Sequence, residues 1–274
     1  MNAEAEGRAA ADKFRSTHKL GTQPLGDLLS LIERTTGHDI AVLDVHADEH
    51  GLTIHDPANG AVFIGIARTP NPMRQRSTIA HELAHVIFED WKDEGFLGDH
   101  CPEETRANSF ARHLLVPQDG LRDLLRDRTN LTDKDLSEVV QTFLVSPAIA
   151  AIALKQGGYI DASTKESWMK LTTPRLATKF GWPDLYQAFQ SDSNRTRAPQ
   201  KLLARAIYGY EYGVIDAQKI ATLRGISRDD ALRELEEAGI TANVPSFPVV
   251  EASALPSIDI DLSILDDPRE ATEP

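Results

Sequence analysis

The 274-residue chain has a single cysteine, Cys101, so no internal disulfide can form and the fold must rest on packing. Basic residues are also scarce. Lys and Arg total 29 against 42 Asp and Glu, a formal net charge of -13. Such a surface repels a phosphate backbone on average, which excludes general coating of nucleic acid and leaves room only for a local basic face. Long apolar runs are missing as well. The longest nearly uncharged one, Phe143 to Leu154, is too short to cross a bilayer and is broken by Ser146-Pro147. The opening residues MNAEAEGRAAADKF hold no apolar stretch of the secretory kind, so the expected location is the cytoplasm.

What remains is an ordinary globular composition, 41% hydrophobic, enough for one large or two modest domains. Residues 4–18 and 24–36 read as helices, the second from the spacing of Leu25, Leu28, Leu29 and Ile32, with Gly37 closing it. Residues 40–68 change to short β-type runs, IAVLDV, GLTIHD and AVFIGIA, separated by His-Gly and Pro-Ala-Asn-Gly turns. Asn71-Pro72 then starts a helix that runs through His85 to about Glu89, and another covers about Glu103 to Val116, before Pro117. Two helices around Leu144-Val145-Ser146-Pro147 follow, then a helical region whose clearest part is 198–238. From Asn243 onward, prolines at 245, 248, 256, 268 and 274 accompany seven acids and one base, the composition of a disordered acidic tail. The expected class is α+β, predominantly helical, with a small three-stranded sheet.

The chemistry concentrates in Thr78-Ile-Ala-His81-Glu82-Leu-Ala-His85. Histidines at i and i+4 share one helical face, so one cation can bridge them, while Glu82 projects to the side and can act as general base without ligating. Ile79, Leu83, Val86 and Ile87 fall about 180° away from the histidines, a stripe that packs the helix and leaves the metal face to a cleft. Two imidazoles plus a carboxylate favour zinc.

No third histidine follows at the close metzincin spacing, so a third ligand must come from another element. Glu104 is the best candidate: it shares a helical face with Asn108, Ala111 and Leu115, and the alanine permits close approach. Asn108 could then hold the Glu104 carboxylate from a second shell. The alternative for Glu104 is a solvated acid at a helix N-terminus. His100 and Cys101 could also bind metal but read as loop residues, and His113 lies opposite Glu104 as a surface or packing residue.

Arg76-Ser-Thr-Ile-Ala-His-Glu-Leu-Ala-His85, with Glu104-Thr-Arg-Ala-Asn-Ser-Phe-Ala111 and Leu114-Leu-Val-Pro117, resembles the ImmA/IrrE family of metallo-endopeptidases. The resemblance covers about residues 24–117 and extends more weakly over 131–160. It implies a zincin-like fold, Zn2+ held by His81, His85 and Glu104, and Glu82 as catalytic acid/base. Ala84 stands where many members have glycine. Family members typically cut a helix-turn-helix transcriptional repressor, which makes such a protein the expected partner. The corresponding division is a metallopeptidase domain at 1–118, a helix-turn-helix-like segment at 119–164, a helical region at 165–242 and the tail at 243–274. An edge strand at Ala61 to Ala67, just before the metal helix, could hold an extended peptide.

Direct DNA reading finds little support. The second helix of the helix-turn-helix-like pair, Pro-Ala-Ile-Ala-Ala-Ile-Ala-Leu, has a single base, Lys155, and is made for packing rather than for base edges. Residues 195–224 carry a local basic excess that reads first as a solvated face. The competing function is a non-catalytic regulator with a structural zinc whose C-terminal helices bind a protein or DNA.

Overall fold

The computed structural model describes residues 2–45, 51–92 and 101–243. His100 and residues 244–274 of the expected tail lie outside them. Helices α1 (Ala3–Thr17) and α2 (Leu28–Thr36) lead into strands β1 (Asp39–Leu43), β2 (Gly51–Asp56) and β3 (Ala61–Ala67). The HExxH segment lies on α3 (Pro72–Phe88), followed by a 3-10 turn at Asp90–Lys92 and by α4 (Pro102–Leu115), α5 (Gln118–Leu125), α6 (Asp133–Phe143) and α7 (Pro147–Gln156). Six further helices complete the described chain: α8 (Ala162–Trp168), α9 (Thr173–Lys179), α10 (Pro183–Ser193), α11 (Gln200–Glu211), α12 (Ala217–Arg224) and α13 (Arg228–Glu237). The fold is α+β and predominantly helical.

Helix starts follow the local chemistry. Asp27 caps α2 through Ser30, later than the leucine spacing suggests, so Leu25 is buried ahead of the helix rather than within it. Gly37 closes α2 in the left-handed region at φ 78°, where a side chain would be strained. Pro72 occupies the first turn of α3, but Asn71 makes no side-chain cap.

The sheet order is β1-β3-β2, with β1 parallel and β2 antiparallel to β3. This corrects the expected edge: β3 is the central strand and β2 an outer one. The physical reason is in β3 itself, where Val62, Ile64 and Ile66 face the core while Phe63 and Gly65 sit on the other face, an apolar strand covered on both sides. Beyond β1, Val42 and Arg197 exchange backbone hydrogen bonds of 2.8 and 3.0 Å, so residues 195–199 close that edge.

One buried core runs from Ala11 to Tyr186 and is continuous across residues 118 and 164. Trp168 and Trp182 tie α8 and α10 to α6 by donating to Asp133 and Ser137, each at 3.0 Å. A second, smaller core joins α11, α12 and α13 around Ala206, Ile220, Ala221, Ala231 and Leu235. Two basic residues of this region attach it to the rest of the molecule, Arg197 pairing with Asp27 and Glu33 and Lys201 donating to the Gly37 carbonyl, while Arg224 pairs with Glu234 inside the unit. Helices α6 and α7 meet at 106°, a helix-turn-helix angle, but Ala150, Ala151, Ala153 and Leu154 of α7 are fully buried. Among the described residues no single helix is long and apolar enough to cross a membrane.

Helix α1 crosses α4 closely, and Gly7 lies against the Arg106 carbonyl and Ser109 with no room for a Cβ. His113 is sealed into this crossing, and burial, reinforced by Arg112 and Arg8, lowers its pKa from 6.5 to about 4. The unfolded chain therefore takes up a proton near pH 6.5 that the folded chain refuses until about pH 4. Stability is full above the higher value and falls across that window, by up to about 3 kcal/mol from this residue. Urea midpoints between pH 7 and pH 4 are expected to show that decline in the wild type and a shallower one in His113→Gln.

Candidate metal centre

Helix α3 turns His81, Glu82 and His85 away from its packed side, where Ile79, Leu83 and Val86 are buried. Ile87 departs from the expected stripe: it is 37% exposed, while Val86 beside it is buried. Helix α4 lies alongside α3 with Ala107 and Ala111 buried, and this close approach brings Glu104 over the two histidines. His81 Nε2 is 3.0 Å from His85 Nε2, and the Glu104 oxygens are 3.1 Å and 3.4 Å from those same nitrogens. One ligand atom from each of the three side chains lies within 4.8 Å of the others.

The outer nitrogens fix the protonation of the rings. His85 Nδ1 is 2.7 Å from Asp90 Oδ2, and His81 Nδ1 is 3.2 Å from Asn108 Oδ1. Both partners are acceptors, so each Nδ1 carries the proton and each Nε2 is left with a lone pair. Burial, together with the neighbouring His85, lowers the pKa of His81 and favours its neutral form. Two imidazole lone pairs and a carboxylate thus converge with no donor among them, an arrangement that a cation relieves. The residues fit a metal ion, and the His, His, Glu donor set suits zinc.

Asn108 is beside the cluster as expected, but its partner is His81 rather than Glu104, because its amide lies across the helix gap from α3. Cys101 caps α4 and His113 is buried on the opposite side, so neither joins the centre. Glu82 is nearly buried and accepts a 2.7 Å hydrogen bond from Thr53 Oγ1 on β2. Gly51 sits over the same carboxylate so closely that a Cβ would come within 2.5 Å of Glu82 Oε1. Further along β2, His55 stacks on Trp91 at 4.7 Å.

Sequence reasoning missed Thr53 and Asp90. Thr53 had no signal, being 29 residues from Glu82. Asp90, 5 residues past His85, could have been suspected as an acid just beyond the metal helix.

Residues 35–155, from the end of α2 nearly to the end of α7, match the family model for Peptidase M78, the IrrE N-terminal-like domain. This stretch belongs to the ImmA/IrrE metallopeptidase family. The ImmA/IrrE match takes in β1 to β3 and both metal-centre helices, and leaves out α1 and everything from α8 onward. No curated protein matches the chain.

Proposed function

We propose that the chain is a zinc-dependent endopeptidase acting in the cytoplasm on one specific protein, a helix-turn-helix transcriptional repressor. The observation that carries the peptidase reading is the convergence of His81, His85 and Glu104 acceptor atoms beside a carboxylate, Glu82, that is not part of the cluster. Zinc held by the three residues would polarise the scissile carbonyl and acidify the attacking water. Glu82 takes the proton from that water and returns it to the leaving amine. Thr53 occupies one Glu82 oxygen and fixes the carboxylate plane, which lowers the cost of orienting the base.

Strand β2, the outer strand that carries Thr53, has no further strand beside it among the described residues and could take an extended substrate segment there, and Leu52 and Ile54 project from it at 55% and 49% exposure. Nothing in this generic apparatus selects one protein, so selectivity must come from contacts beyond the cleft. The α11–α13 unit, with its own core, is the most independent source of them. Co-expression with the product of an adjacent repressor gene, followed by mass spectrometry, is expected to give cleavage at one or a few sites, with casein left largely intact. Rapid, indiscriminate casein digestion would overturn the specific-substrate reading.

A further inference from the structure

The acceptor on His85 differs in kind from that on His81. Asn108 is neutral and exposed, whereas the Asp90 side chain is a carboxylate only 2% exposed. A carboxylate buried to that degree is costly unless its oxygens are matched by donors. Both are: Oδ2 receives the His85 Nδ1 proton at 2.7 Å, and Oδ1 is ion-paired with Arg106 Nη2. Arg106 comes from α4, two residues after Glu104, and its guanidinium lies 4.6 Å above the Phe88 ring at the end of α3. Among the described residues its Nε is buried without a partner, a cost accepted for the sake of this placement. The chain of contacts therefore begins at a ligand of α3, passes through Asp90 and ends on the helix that supplies the third ligand.

We propose that Asp90 and Arg106 are positioning residues that form a clasp between the two ligand-bearing helices. Asp90 holds His85 in the tautomer that presents Nε2, and Arg106, drawn to Asp90, sets the height of α4 so that Glu104 meets the histidines. The inference rests on the zinc-peptidase reading and assigns the parts of the chain that preorganise its metal centre. Loss of an orienting carboxylate of this kind costs about 10–100-fold in metal affinity.

The test uses the full chain and zinc itself, with affinity measured by competition against a chromogenic chelator. Asp90→Ala is expected to weaken zinc binding about 10–100-fold, and Asp90→Asn, which keeps an acceptor but loses the charge, by less. Nitrogen-15 NMR of the chelator-treated protein should show the Nδ1–H form alone for His85 in the wild type, and a mixture of tautomers in Asp90→Ala. Arg106→Met should weaken zinc binding too, and combining it with Glu104→Ala should cost less than the two losses together, because both act on one ligand. A merely structural clasp would lower the melting temperature without moving the tautomer or the double-mutant coupling. If Asp90→Ala fails to fold, Asp90→Asn and Arg106→Met carry the test. Unchanged affinity in these two variants, with a wild type that binds zinc, overturns the clasp. A wild type that binds no zinc overturns the peptidase reading instead.

Discussion

Glu82→Gln is expected to bind zinc as the wild type does and to lose about 10²–10⁴-fold in hydrolysis, the usual worth of a general acid–base group. The substitution is conservative in shape, and the amide oxygen can still accept from Thr53, so the helix and the ligand cluster keep their places. What disappears is the ability to take a proton from water. The measurement pairs zinc content by atomic spectroscopy with fragment release from the co-expressed repressor. Wild-type turnover in Glu82→Gln would remove Glu82 from the chemistry, whereas a zinc-loaded wild type that releases no fragments would make the non-catalytic regulator the better account.

Removing a histidine acts on the metal first. His81→Ala or His85→Ala should abolish most of the zinc binding expected of the wild type, about one ion per chain, since each deletes one of the three proposed ligands. The two losses should be unequal. His85 is the more deeply buried ring and is held by the charged Asp90, so its removal strands a buried carboxylate as well as a ligand site. His85→Ala is therefore expected to lower the melting temperature more than His81→Ala does. Glu104→Ala should retain weak binding through the two imidazoles. Full zinc occupancy in both histidine variants, by equilibrium dialysis, would refute the ligand assignment.

The metal helix, the Glu104 helix and the three strands were legible because each is a local pattern: a 3.6-residue period, a proline at a helix start, or a short β-rich run between turns. Relations between elements were less legible. The order β1-β3-β2 depends on which strand is covered on both faces, and the nearly unbroken apolar run AVFIGIA did carry that signal for β3. Asn108 was found from its face of α4, but a face does not say which of two neighbours an amide will meet. The split between the cores was hidden altogether, since Trp168, Trp182 and Tyr186 look like any helical aromatic until their burial against α6 and its neighbours is seen.

The closure of β1 by Arg197 reaches beyond the fold. A sheet with two bare margins can be extended from either side, and like sheets can zip together into aggregates. Here residues that follow α10 occupy one margin with main-chain hydrogen bonds, so among the described strands only β2 can accept a newcomer. That strand holds Thr53 and Gly51 against Glu82. On the proposed reading, capture and chemistry would be the same event: a foreign strand that docks on β2 by backbone pairing would arrive beside Glu82, and self-association there would compete with substrate.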